Sequence, residues 1–274
     1  MTEATFRTAT LPEVAEMLDW AAAEGWNPGL EDATAFYASD PEGFFIAEVA
    51  GKPVAAISVV NHSNDFAFLG LYLCQPAYRG QGIGFALWSH ALAHAGTRTV
   101  GLDGVPAQEA NYAKSGFVRT GRTRRLCGTL PSAASPAREV TPGDLPALAA
   151  LDFQANGFSR PIFLAEWTGP TESRRTVLHE EGTGVATARL CRDGCKIGPI
   201  VAPSPEDALA LAIAAASALG QSQAIVDAPE GSAQFGQLLE DRGFQETFAT
   251  ARMYRGPAPQ TGATLQAIAT MELG

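Results

Sequence analysis

Cysteine is scarce in this chain of 274 residues. There are four, Cys74, Cys127, Cys191 and Cys195, and none forms a CxxC pair. Beside four scattered histidines they make no recognisable zinc set, so no metal is expected. Reduced thiols in a cytoplasmic protein are the reading that follows. Cations are short as well: 19 Lys and Arg stand against 29 Asp and Glu, a formal net charge of −10. That balance argues against nucleic acid or an anionic membrane as partner. Met1 to Phe6 is polar, with no charged segment leading into an apolar one, so no secretory signal is read there. The longest apolar run, Ala208 to Leu219, is too short for a bilayer span. The glycine-rich stretch Arg79-Gly80-Gln81-Gly82-Ile83-Gly84 lacks the GxGxxG spacing of dinucleotide folds and the Gly-Lys-Ser/Thr of a Walker loop.

What is present is a globular composition, 46% hydrophobic and 18% charged. It also carries a repeat of 127 residues: Ser115-Gly116-Phe117 returns as Arg242-Gly243-Phe244, and Arg125 as Arg252. Pro76, after the run Leu71 to Cys74, returns as Pro203 after Ile197 to Val201. Between the copies lies Pro131-Ser132-Ala133-Ala134-Ser135-Pro136-Ala137, a small-residue stretch bounded by proline. We therefore expect two related domains at 1–130 and 138–256, a linker at 131–137, and a tail at 257–274 that suits an added strand.

The first copy reads as two helices (11–24 and 33–39), a hairpin turning at Ala50-Gly51-Lys52-Pro53, and a strand at 66–74. A helix at 82–95, a strand at 99–103, a helix at 107–114 and a strand from Phe117 follow. The second copy reads as helices near 144–154, 205–219 and 232–241, with strands near 184–190, 195–201, 223–227 and 244–253. This mixture predicts an α/β (α+β) class, two tandem domains each with a mostly antiparallel sheet flanked by helices.

The Arg79–Gly84 stretch falls between a predicted strand and a helix. Glycines let backbone amides approach a ligand, and a helix start offers unpaired N–H groups and the positive end of its dipole. Together they form a pyrophosphate cradle. Leu71 to Gly84, with its Pro76 turn, resembles the acetyl-CoA motif of the GNAT family of N-acetyltransferases, Arg/Gln-x-x-Gly-x-Gly/Ala. Tyr112-Ala113-Lys114-Ser115-Gly116-Phe117 resembles that family's Tyr-x-x-x-Gly-Phe segment. The resemblance implies acetyl-CoA as co-substrate, pantetheine in the gap between splayed fourth and fifth strands, and backbone pairing from Leu73. It implies that Arg79, Gly80, Gln81, Gly82, Ile83 and Gly84 hold the pyrophosphate. Tyr112 matches the general acid that protonates the leaving thiolate. The family's Asn seven residues earlier is Val105 here, so no Asn contact is assigned.

In the second copy Arg79-Gly80 becomes Glu206-Asp207, Gly82 and Gly84 become Leu209 and Leu211, and Tyr112 becomes Leu239. Carboxylates and side chains at those positions oppose a polyanion, so this copy is expected to keep the fold and lose the ligand. Asp207 suits a helix start instead.

The expected reaction is direct attack by an amine on the thioester, and the acceptor is read as a small molecule because the sequence marks no acidic groove for a protein substrate. Asp103, at the end of a strand bordering the gap, is the candidate base, and it equally suits a strand-end turn. His62 and Asp65 are weaker candidates in the preceding turn. Trp26 and Asn27, after the first helix, lie where the family borders its acceptor. Cys74 reads as a strand residue rather than a nucleophile. A monomer or homodimer suits either this enzyme or the rival reading, a CoA-binding sensor without turnover.

Overall fold

A computed structural model describes residues 4–131, 133 and 135–274. Ser132 and Ala134 of the expected linker lie outside the described residues. Helix α1 (Leu11–Ala23) starts on a capping box in which Thr10 and Glu13 satisfy each other's backbone N–H groups. Gly25 follows it with φ +83°. Helix α2 (Asp32–Ser39) leads to β2 (Phe44–Val49) and β3 (Lys52–Asn61). Ala50 and Gly51 both have positive φ, 51° and 72°, as a tight right-twisted hairpin needs. Then come β4 (Phe66–Cys74), α3 (Ile83–Leu92), β5 (Thr99–Gly104), α4 (Glu109–Lys114) and β6 (Val118–Thr129). A strand not read from the sequence, β1 (Thr5–Thr8), pairs antiparallel with β2. It is short and mostly exposed, which leaves little apolar pattern to read.

The second copy runs β7 (Ala137–Glu139), α5 (Leu145–Asn156), α6 (Pro161–Thr168), β8 (Arg174–His179), β9 (Val185–Leu190) and β10 (Cys195–Val201). It continues with α7 (Pro205–Ala218), β11 (Gln223–Pro229), α8 (Ala233–Glu240) and β12 (Gln245–Arg255). The tail contributes β13 (Leu265–Ala267). Helix α6 and strand β8 were not anticipated. At the head of α7, Ser204 Oγ accepts from the Asp207 backbone N–H, and Asp207 serves the helix start.

All these strands join one sheet, in the order β1-β2-β3-β4-β5-β12-β6-β11-β10-β9-β8-β7, with β13 against β10. Among the described residues, β4 with β5 and β10 with β11 are the parallel pairs. The order shows an exchange. Strand β12 of the second copy closes the first copy's sheet against β5, and β6 of the first copy closes the second against β11. The division at 131–137 orders the chain but is crossed in space.

The exchange places two matching ion pairs at the seam. Asp103 sits opposite Arg252, and Asp227 opposite Arg125. A third cluster joins the copies through α2, where buried Asp32 meets Arg174 and Arg189, both stacked over the Trp167 ring. Phe36 lies against Trp167 within an apolar core that α1 and α2 share with α6. The two copies are one packed body with a common interior.

Candidate active site

The site follows from where β4 and β5 part company. They pair from Phe66 and Thr99 as far as Leu69 and Leu102, then separate. Just beyond, Leu71 takes φ +48° and the register of β4 on β3 shifts, a bulge that turns the strand. A cavity of about 580 Å³ opens in the gap. It runs from the glycine loop, past Leu73 and Tyr112, to Trp26, Arg125 and Glu272.

Gly80 and Gly82 have φ of +76° and +81°, and a Cβ at either would meet nothing within 4 Å. Glycine is required there for backbone conformation, and the emptiness leaves room for a ligand. Gly82 caps α3 and, having no side chain, offers no partner to the first amides of that helix. At Gly84 a Cβ would lie 2.8 Å from the Tyr72 hydroxyl. Arg79, Gly80, Gly82 and Gly84 line the cavity, with exposed Phe85 beside them. The side chain of Gln81 turns back to donate to the Ala77 carbonyl, and Ile83 packs into the core beneath α3, so neither lines it. The Arg79 guanidinium donates to the Cys74 carbonyl and pairs with Glu24, which fixes its position at the rim.

Tyr112 stacks on Trp88 with ring centroids 5.5 Å apart, and its ring covers Gly104, where a Cβ would lie 2.2 Å away. Burial pushes its phenol up to about 12. The group therefore keeps its proton throughout the neutral range. Cys74 lines the same cavity, and burial raises its thiol too, which suppresses the thiolate that a nucleophile requires.

Two expectations change on this geometry. Asp103 borders the cavity, but its carboxylate accepts from Arg252 Nε and Nη2 at 3.0 and 2.5 Å and from the hydroxyls of Thr123 and Thr250. Ion-paired to Arg252 and with its side chain fully enclosed, Asp103 is held as a strut across the seam rather than presented as a base. Asn27 has φ +52° and spends its side chain on the backbone of Asp193, away from the cavity. Trp26 does line it, and its carbonyl accepts from Arg125 and Lys196. His62 is sealed among Phe66, Phe158 and Phe163, donating Nε2–H to the Leu273 carbonyl. Burial drives its pKa down to about 3. Asp65 stays exposed in the turn, outside the cavity.

The far wall was not foreseen. Arg125, Phe248, Thr250, Met271 and Glu272 form it. They come from the exchanged strands and from the tail. The repeat of Arg125 at Arg252 was the only sequence signal, and it pointed to pairing rather than to the cavity.

In the second copy the matching gap is filled by the chain itself. Strands β10 and β11 pair from Cys195 and Ala224 as far as Ile197 and Val226. Beyond that point β13 enters, pairing Ala267 with Ile200, while the Ile268 N–H donates to the Asp227 carbonyl. A Cβ on Gly198 would lie 2.1 Å from the Ile268 oxygen. Among the described residues no cluster of His, Cys, Asp and Glu could hold a metal ion, and no helix is long and apolar enough to cross a membrane.

Comparison with known proteins agrees with this duplication. Residues 11–117 match the acetyltransferase (GNAT) family model, and residues 148–265 match an acetyltransferase (GNAT) domain model. A holothin acyltransferase from Pseudoalteromonas sp. (strain SANK 73390) is 37% identical over 98% of this chain and 94% of its own length. A putative acetyltransferase from Pyrococcus horikoshii shares the fold across 100% of this chain and 97% of that one, with TM-score 0.83 at 22% identity. A tandem GNAT protein from the clavulanic acid biosynthesis pathway superposes with TM-score 0.63 at 15% identity, over 93% of this chain and 100% of that one. Two diverged copies, one open cleft and a full-length acyltransferase relative place this chain in the GNAT superfamily, as a tandem acyltransferase with a degenerate second copy.

Proposed function

We propose that the chain transfers an acetyl group from acetyl-CoA to a primary amine of a small molecule, in the cleft of the first copy. The observation that carries the reading is the open gap between β4 and β5, with the Gly80–Gly82 turn at one end and Tyr112 beside it. Arg79 and the amides around Gly80, Gly82 and Gly84 would receive the pyrophosphate, with Gln81 and Ile83 supplying backbone only. The edge of β4 at Leu73 would take the pantetheine. The amine attacks the thioester carbon, the C–S bond breaks, and Tyr112 protonates the thiolate. Holding both reactants in one cleft supplies much of the acceleration.

The end away from the glycine loop is lined by Trp26, Leu71, Phe248 and Met271 with a few polar groups, Arg125, Thr250 and Glu272, among them, a mixture that suits a small molecule. The relative named for holothin supports the same class, and holothin is the first acceptor to assay. The test is calorimetric titration with acetyl-CoA followed by an acetylation assay over an amine panel. One site per chain with acetyl transfer supports the reading. Binding without transfer to any amine favours a sensor, and no binding sinks both.

A further inference from the structure

The tail passes through both copies. After β13 fills the gap of the second copy, residues 269–274 cross to the first. Arg189 donates to the Ala269 carbonyl, His62 to Leu273 and Arg160 to Gly274. The Glu272 carbonyl lies so close to Gly70 that a Cβ there would fall 2.0 Å from it. Three hydrogen bonds and the close contact with Gly70 hold this backbone in place, and burial confines the side chain that lies among them. That side chain is Glu272, which is 4% exposed and borders the cavity. Thr270 Oγ1 donates to its carboxylate, and the Glu272 backbone N–H donates to Thr270 Oγ1 in turn.

Every other buried carboxylate near this wall is already matched. Asp103 has Arg252, Asp227 has Arg125, and Asp32 has Arg174 and Arg189. Glu272 makes no ion pair within 4 Å among the described residues, although Arg125, Arg189 and Lys196 all feel its charge. A carboxylate in a cavity wall with one hydroxyl partner retains acceptor capacity, and a neutral amine supplies N–H donors.

Building on the acyl-transfer reading above, we propose that Glu272 is the acceptor-binding carboxylate of the cleft. It accepts a hydrogen bond from the attacking nitrogen and takes its proton as the C–N bond forms. The amine proton passes to Glu272 and the Tyr112 proton to the departing sulfur. One amide and one thiol result, and solvent returns the proton from Glu272 to Tyr112. Met271, beside it, closes the pocket on the apolar side.

The test compares wild type, Glu272→Gln and Glu272→Asp in the full chain. Benzylamine and aniline serve as acceptors, with acetyl-CoA affinity measured by calorimetry. Glu272→Gln is expected to lower kcat/KM for the amine by about 100-fold or more, on the scale of a lost general base. Acetyl-CoA affinity should stay within about twofold, and Glu272→Asp should recover part of kcat. Equal amine kinetics in Glu272→Gln and wild type overturn the proposal while leaving the acyl-transfer reading intact. A wild type that binds acetyl-CoA yet acetylates neither amine also overturns it. A wild type that fails to bind acetyl-CoA removes the underlying reading instead. Loss of cofactor affinity together with amine turnover assigns Glu272 a purely structural role and overturns the proposal.

Discussion

Asp103 and Arg252 face each other across the seam where a strand of the first copy meets the exchanged strand of the second, and their side chains join through two hydrogen bonds. The Asp103 carboxylate is fully enclosed, the Arg252 side chain is half-buried, and its guanidinium lies 5.2 Å from the Phe68 ring centroid. Removing Arg252 alone leaves a buried carboxylate uncompensated. Arg252→Met is expected to cost about 3–5 kcal/mol in urea unfolding. The double variant Asp103→Leu with Arg252→Met should recover most of that loss, because neither charge is then stranded.

Tyr112→Phe keeps the stacked ring and removes only the proton. Acetyl transfer is expected to fall by about 10²–10⁴-fold in kcat, with the acetyl-CoA dissociation constant unchanged. Because burial holds the phenol at about 12, its ionisation should not cut the rate below pH 10. A pH profile of kcat/KM with an alkaline limb below pH 10 that vanishes in Tyr112→Phe would contradict this.

Gly82 sits in left-handed backbone with open space beside it. Gly82→Trp fills that space and strains the turn, so calorimetry should show no acetyl-CoA heat. The wild type should show one site per chain, since the second gap is occupied by β13. A stoichiometry of two would mean that the tail yields to the ligand.

The helices and strands around this cleft were legible because local chemistry marks them. Pro12 suits the first turn of a helix and Gly25 its end, the Ala50–Pro53 stretch suits a hairpin, and the glycine loop suits a strand-to-helix turn. The exchange was not legible. β6 and β12 descend from one repeat and carry similar patterns, so either strand satisfies either sheet's edge, and only the folded partner decides. Asp103 and Asn27 were misjudged for a related reason. Their partners, Arg252 and Asp193, lie far along the chain, and spacing within one copy gives no sign of them. Glu272 and Met271 belong to a tail whose strand period says nothing about where it ends up.

His62 titrates near 6.5 in an unfolded chain and near 3 in the fold. Its pKa is depressed, so the unfolded state binds the extra proton first. Stability is whole above pH 6.5 and is lost as pH falls from there toward 3. Melting temperatures from pH 7.5 to 4 should drop more steeply in wild type than in His62→Phe, by the slope of up to one proton.

Gly70→Ala tests the tail's path without altering any side-chain polar group. The added methyl meets the Glu272 carbonyl, which is backbone and cannot swing aside. A loss of about 1–3 kcal/mol is expected on overpacking grounds. Amine KM should rise as the tail shifts, while a variant with wild-type KM and stability would show the tail to be loosely seated.

The strand exchange also governs how the molecule comes into being. A ribosome delivers β5 long before β12 exists, so the first half emerges with its sheet unclosed and a row of unpaired backbone groups along β5. The nascent first half must wait, exposed to wrong pairing, until residue 255 has been released. For the same reason a gene truncated between the copies encodes neither a smaller enzyme nor a separate scaffold. The second copy, whose own gap is filled by β13, supplies the strand that closes the first copy's sheet.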